Sequence, residues 1–511
     1  MSTKTETPAD APAETAREPR HRIIGLTAGP IAAVLTYLVL PDSLNPAGQF
    51  VASVAVLMAV WWMTEAIPLA ATALLPLVIL PFTPVVEIGE DGTATVTADR
   101  VGVAAIAPSY GHKIIFLFLS GFVIALAMQK WNLHRRFALA VISRVGSRST
   151  AIVGGFMLAC ALLSMWVSNT ATTLILLPVA LAVIGLASVD GRQDRKFATA
   201  LLLGVAYAAS IGSVGTVIGT PPNALLSAYL SEEHGIEIGF FQWMTFGVPL
   251  ALAMLAAAWL ILTRVYRPET KRIGAGRDAI RRELREMGRM TRPEWTVLVA
   301  FATAAVSWIT FGALKQNDAF AEANPWVSYM DDTVIGMAVA VALFVVPVGG
   351  AKRAIDWDAM RELPWGILLL FGGGLALSGQ FGASGLSGWI GEQVSGLKGV
   401  PTFLVVLVVV AIVLLLTELT SNTAVTNTFL PVMAGVAMGL DLPVLTLLVP
   451  TALAASMAFM LPVATPPNAI AFGSGKISIS QMVRGGAAVN VTAIVMIMAA
   501  MYSVIGWALG V

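Results

Sequence analysis

The sequence predicts an all-α polytopic membrane protein, with about eleven transmembrane helices and two re-entrant helical hairpins arranged as an inverted repeat. Three observations predict it. The composition is 57% hydrophobic and 12% charged, with a mean hydropathy of +0.81, far from the soluble balance. Many apolar runs approach or exceed the ~18 residues that a membrane span requires. A polar phrase, Ser168-Asn169-Thr170-Ala171, recurs as Ser421-Asn422-Thr423-Ala424, each copy in the middle of a long apolar stretch.

The echo is wider than the phrase. Thr173, Leu177, Pro178 and Val179 recur in register as Thr426, Leu430, Pro431 and Val432, and a hydroxyl four residues upstream recurs as Ser164 and Thr417. Downstream, Thr220-Pro221-Pro222-Asn223-Ala224 returns as Thr465-Pro466-Pro467-Asn468-Ala469. Two polar breaks in each half of a membrane chain are the mark of a secondary transporter built from repeats.

In chain order, residues 1–22 are polar and rich in Pro, Ala and Glu, and read as a disordered cytoplasmic tail. Its acids, Glu6, Asp10, Glu14 and Glu18, do not suit the basic start of a signal peptide. Residues 23–111 read as N-terminal scaffold helices, with an acidic Gly/Thr-rich loop at 84–100. A first repeat covers 112–235, with a hairpin at 149–189 and a broken helix at 197–230. Scaffold helices follow at 236–362, carrying a linker at 264–292 that holds ten Lys/Arg against four Asp/Glu and includes an amphipathic surface helix. The second repeat covers 363–480, with its hairpin at 402–440 and broken helix at 442–474, and a last span covers 481–511.

The charges set the topology. Lys130, Arg135, Arg136, Arg144 and Arg148 precede the first hairpin, and Arg192, Arg195 and Lys196 follow it beside Asp190 and Asp194, so both flanks face the cytoplasm. Seventeen helical residues rise about 25 Å, short of the ~30 Å hydrocarbon core. A hairpin with the polar triplet at its tip fits better than two full spans joined by a three-residue turn. The flanks of the second hairpin carry only Lys398 and Asp441, as expected of a hairpin anchored outside. The N-terminus then lies in the cytoplasm, and the two repeats run in opposite senses.

A helix tip inside the membrane leaves N–H groups unpaired, and Ser, Asn and Thr are residues that cap such ends. Capping alone would account for one triplet. Two identical triplets, each followed by a Pro-Pro break, point instead to a site. Carbonyl, hydroxyl and Asn amide oxygens are hard ligands suited to a monovalent or alkaline-earth cation. The N–H groups of the following half-helices suit an anion. Neither tip segment contains Lys or Arg, so an anion there is held by dipoles, hydroxyls and co-bound cations. Glu418 is the acid of the second hairpin; Met165 stands in its place in the first. A packing role and a proton-coupling role are both open to it. A single Cys160 excludes an internal disulfide framework, and four scattered histidines give a metal centre little support. A membrane enzyme would want clustered His, Asp or Glu, which the spans do not offer.

Paired Ser-Asn-Thr tips, each followed by a Thr-Pro-Pro-Asn break, resemble the divalent-anion:sodium symporters, the di- and tricarboxylate transporters, over residues 24–511. The resemblance implies a homodimer in the cytoplasmic membrane, surrounded by lipid, moving substrate by an elevator motion. It implies sodium-coupled symport of C4 dicarboxylates such as succinate, malate and fumarate, with no organic cofactor and no nucleic-acid partner. Some relatives exchange substrates without sodium, and others take 2-oxoglutarate, citrate or sulfate. By the same resemblance, Asn169, Thr170, Asn422 and Thr423 contact the substrate carboxylates. One sodium site takes Ser164, Ser168, Asn169 and the Gly219 carbonyl, and the other takes Thr417, Ser421, Asn422 and the Ala464 carbonyl. Thr220, Pro221, Thr465 and Pro466 shape the pocket.

Overall fold

The structure, a computed structural model, describes residues 20–88, 94–189, 192–350 and 352–509. The expected tail lies outside these residues up to position 19, as does Asp190. Numbering helices of eight residues or more, the chain begins with α1 (Arg20–Val39), α2 (Pro46–Thr64), α3 (Lys113–Lys130) and α4 (Leu133–Ser143). The first hairpin is α5 (Ser149–Ser164) and α6 (Asn169–Gly185), and the first broken span is α7 (Arg195–Ser213) and α8 (Pro221–His234). Next come α9 (Phe240–Val265), α10 (Gly274–Glu286), α11 (Arg292–Lys315), α12 (Asp332–Val345), α13 (Trp365–Ala383) and α14 (Leu386–Val394). The second hairpin is α15 (Thr402–Thr417) and α16 (Asn422–Gly439), the second broken span is α17 (Leu445–Ala455) and α18 (Pro466–Gly473), and α19 (Ile479–Ala500) runs on through a π-helical turn to Leu509.

Among the described residues, eight helical segments are long and apolar enough to cross a membrane, and α5, α6, α12, α15 and α17 are shorter apolar helices. Both arms of the first hairpin fall short of a full span, and each hairpin turns at its polar triplet. The acidic stretch at 84–100, expected as a loop, forms an antiparallel hairpin of β1 (Pro84–Ile88) and β2 (Ala94–Arg100). The surface helix expected in the basic linker is α10. It buries Ile280 and packs Leu284 against the core while Arg281, Arg282 and Arg285 stay exposed.

The centre of the molecule is α7, whose residues Phe197–Ser213 are all buried. It packs along α5, and the glycine at 212 makes this possible, because a Cβ there would collide with the Ala161 backbone. The two repeats interlock crosswise: α18 packs on α6 and α7, while α8 packs on α16 and α17. This crossing brings the two tips to one place. On the outside, α1 exposes Ile31, Val34, Leu35 and Leu38, an apolar face that suits lipid or a second protein.

The hairpin roots are held differently. At the first, Ser149 N donates to the Lys271 carbonyl (3.2 Å) and Ile273 N to the Ser147 carbonyl (2.8 Å). Asp194 caps α7 through Phe197 N and also accepts Glu269 N and Thr270 N at 2.8 and 2.7 Å. At the second, the side chains of Lys398 and Asp441 form an exposed ion pair.

Two expectations follow. Gly212→Val should cost about 1–3 kcal/mol by forcing α5 off α7, read as a lower thermal midpoint in detergent. Glu233 lies beyond the apolar part of α8, facing Gly379 and Gly382 of α13, and burial, assisted by Glu232, pushes its carboxyl up to about 7. A raised acid stabilises the fold while it is protonated and loses that contribution as pH rises through its folded value. The thermal midpoint should therefore fall between about pH 4.5 and pH 7, and the fall should be smaller in Glu233→Gln.

Candidate functional site

Tips and breaks meet around one cavity of about 1000 Å³. From the tips it is lined by Ser168, Asn169, Thr170, Ser421, Asn422 and Thr423. From the breaks it is lined by Gly219, Thr220 and Pro221 and by Ala464, Thr465 and Pro466. Ser164 and Thr417 do not line it; both are fully buried behind the tips.

Asn169 and Asn422 are the first helical residues of α6 and α16, so the N-termini of two helices open into the cavity. Ser168 accepts a hydrogen bond from Ala171 N (3.2 Å), capping the first. Ser421 makes no such bond, which leaves the second terminus without a side-chain cap. Positive helix ends with free N–H groups attract anions, the more so in a low-dielectric surround.

The breaks present the opposite chemistry. Each second half-helix begins with two prolines, Pro221-Pro222 in α8 and Pro466-Pro467 in α18. Prolines at the first helical positions have no N–H to offer. Ahead of the prolines the backbone leaves the α-helix, with a 3-10 turn at Val217–Gly219 in the first break and no helix over residues 456–465 in the second. Thr220 and Thr465 close those stretches in nearly identical extended conformations, φ −147°, ψ 146° and φ −144°, ψ 149°.

Buried oxygens collect behind both tips. Near the first, Ser164 Oγ, Asn169 Oδ1, Ser210 Oγ and Asn223 Oδ1 have no hydrogen-bond partner. Buried oxygens left this way cost free energy that a hard cation would offset. Near the second, Thr417 Oγ1 lies 2.6 Å from Asn422 Oδ1 and 2.8 Å from the Ala455 carbonyl. One hydroxyl proton cannot serve both. Both oxygen sets fit sodium, and among the described residues no group of three or more His, Cys, Asp or Glu could hold a metal ion.

Sequence reasoning did not assign roles to Asn223 and Asn468. Asn223 Nδ2 lies 2.8 Å from the Thr216 carbonyl and 3.2 Å from that of Ser213; Asn468 Nδ2 lies 3.1 Å from Leu461 and 3.3 Å from Ala458, the positions in register. Their place in the repeated Thr-Pro-Pro-Asn phrase was the available signal. Other lining residues were also missed: Trp62–Glu65 at the end of α2, Trp166 in the turn of the first hairpin, and Ile367. Only Glu65 is polar enough to have drawn notice; it ends α2 in a left-handed conformation (φ 46°) and pairs with Arg22 at 3.3 Å. Glu418 does not line the cavity.

Span-length apolar helices around paired helix termini and paired oxygen clusters define a membrane transporter, not an enzyme. A family model described as "Sodium:sulfate symporter transmembrane region" matches residues 23–509, and the chain belongs to that family. It is 42% identical over 501 residues to the sodium-dependent dicarboxylate transporter SdcS of Staphylococcus saprophyticus, covering 96% of this chain and 92% of that protein. The transporter of the same name from Staphylococcus aureus (strain USA300) is 41% identical over 503 residues, with the same coverage. Among solved structures, the Alcanivorax borkumensis YdaH transporter matches with a TM-score of 0.55 at 14% identity, over 88% of this chain and 98% of that one. That likeness bears on the fold alone.

Asn468→Leu should strand the Ala458 and Leu461 carbonyls in a dry setting. The expected loss is about 1–3 kcal/mol, seen as a lower thermal midpoint of the purified protein.

Proposed function

We propose that this chain couples the downhill entry of sodium to the uptake of C4 dicarboxylates, with succinate, malate and fumarate as the reference substrates. The observation that carries the reading is the convergence of two helix N-termini and two buried oxygen clusters on one cavity without Lys or Arg. The printed name of the relatives at 41–42% identity supports it. Asn169 and Thr170 at one tip and Asn422 and Thr423 at the other take the two carboxylates. Sodium takes Ser164, Ser168, Asn169 and the Gly219 carbonyl at one site, and Thr417, Ser421, Asn422 and the Ala464 carbonyl at the other. Thr220, Pro221, Thr465 and Pro466 form the walls. Cations beside a dianion lower the cost of taking either out of water.

Transport proceeds by an elevator motion of a homodimer in the cytoplasmic membrane, with the N-terminus inside. The repeats at 112–235 and 363–480 carry the substrate past scaffold helices at 23–111 and 236–362. Glu65 and Ile367, which line the cavity, lie at helix ends that this topology puts on the cytoplasmic side. The second reading is a carrier for sulfate, the anion in the family's description.

Radiolabelled succinate uptake into proteoliposomes tests the reading. Uptake into empty vesicles should require an inward sodium gradient, and excess malate or fumarate should compete while sulfate should not. Uptake only into dicarboxylate-preloaded vesicles, indifferent to sodium, would make this an exchanger. Asn169→Ala or Asn422→Ala should lower uptake by about tenfold or more, the loss expected for a hydrogen bond to a charged group, while the protein stays folded. Normal uptake by either variant would remove the tips from the site.

A further inference from the structure

Glu418 is 2% exposed, inside the apolar second hairpin, and among the described residues no Lys or Arg pairs with it. Its carboxylate is instead enclosed by donors. Phe459 N reaches Oε1 at 2.6 Å, Met460 N lies 3.0 Å from both oxygens, and Leu461 N reaches Oε2 at 3.1 Å. Asn490 Nδ2 of α19 completes the cradle at 2.6 Å from Oε1. All four groups that contact it are donors, and the two carboxylate oxygens accept from every one of them.

The three backbone donors belong to the unwound stretch of the second broken span, which has no helical partners of its own. That stretch is gripped from three sides. Asn468 Nδ2 holds the Ala458 and Leu461 carbonyls, Glu418 holds the N–H groups between them, and Tyr207 packs its ring on Phe459. In α19, Gly486 lies one turn before Asn490, and a Cβ there would strike the Phe459 carbonyl. The glycine lets α19 come close enough for Asn490 to reach the carboxylate.

The first half makes the same contact with different chemistry. Met165 stands where Glu418 does, and Thr216 stands where Leu461 does. There Thr216 Oγ1 donates to the Met165 carbonyl at 2.5 Å. The Thr216 hydroxyl ties the first tip to its break, whereas at the second one carboxylate accepts from three backbone N–H groups of the break and from Asn490 of α19. Glu418 directly follows Thr417, whose hydroxyl contacts Asn422 and Ala455. The stretch it holds leads within three residues to Ala464.

We propose that Glu418 is a positioning residue for the cation site at the second tip: its carboxylate fixes residues 459–461 so that the Ala464 carbonyl and the oxygens of Thr417, Ser421 and Asn422 keep one spacing. It neither carries a transported proton nor touches substrate. This rests on the reading that sodium binds at that tip, and it makes the two cation sites unequal, the second being the more rigid.

The test measures succinate uptake against external sodium for purified wild type, Glu418→Gln and Asn490→Ala in proteoliposomes, with thermal unfolding and a pH profile alongside. In Glu418→Gln the half-saturating sodium concentration should rise about tenfold, in line with losing a charged hydrogen-bond acceptor. In Asn490→Ala it should rise about threefold, as one donor of four is removed. The maximal rate per folded protein should change much less, and the pH profile at saturating sodium should keep its shape. A merely structural role would lower the yield of folded protein and leave half-saturating sodium where it was. That result in folded Glu418→Gln overturns the proposal, as does a pH profile that flattens while sodium dependence stays. Where Glu418→Gln does not fold, the same readouts on Asn490→Ala decide. Wild-type uptake indifferent to sodium sinks the cation-site reading and this proposal together; sodium-dependent wild type with sodium-neutral variants sinks this proposal only.

Discussion

Every structural choice around the cavity answers to one constraint: backbone unwound within the hydrocarbon must find its hydrogen-bond partners inside the protein. The two stretches ahead of Thr220 and Thr465 would each strand several carbonyls and N–H groups. Asn223 and Asn468 meet the carbonyls through contacts in register. Trp243 adds a third partner in the first half, donating from Nε1 to the Val214 carbonyl at 2.9 Å. The buried course of α7 and the close approaches at Gly212 and Gly486 bring those side chains within reach. Polar loops at mid-membrane exist here because packed helices surround them.

Satisfying the backbone also sorts the charges. Helix starts at the tips keep their N–H groups, while helix starts after the breaks give theirs up to proline. The tips therefore bring backbone donors that the breaks lack, and they add the side-chain oxygens of Ser, Asn and Thr to the same cavity.

Much of this was legible in the sequence, because the repeat is written in residues whose chemistry is unambiguous. Ser-Asn-Thr in an apolar run suits a tip or a cap, and two copies in register with Thr-Pro-Pro-Asn marked residues that line the cavity. The positions of Ser164 and Thr417 behind the tips, not on the wall, needed the packing of α5 on α7 and of α15 on α17. The rest of the lining was not legible: Trp62 and Ile367 are apolar residues in apolar helices, and Trp166 is an apolar residue in the turn of the first hairpin. The β1–β2 hairpin was hidden by its Gly and Thr content, which suits a loop as well as a strand. Glu418 was visible as an anomaly, but its partners are backbone groups some forty residues away and Asn490 on another helix.

The two hairpin roots, alike in outline, are fastened by bonds of different kinds. Backbone hydrogen bonds with Lys271 and Ile273 join the first root to the linker and do not respond to dissolved ions, while an exposed Lys196–Glu269 pair at 3.0 Å beside them does. The second root is closed by Lys398 and Asp441, an exposed pair whose attraction weakens as the Debye length shrinks from about 10 Å at 0.1 M salt to about 3 Å at 1 M. Added salt thus weakens an exposed ion pair at each root, and the first root keeps backbone hydrogen bonds that salt leaves unchanged.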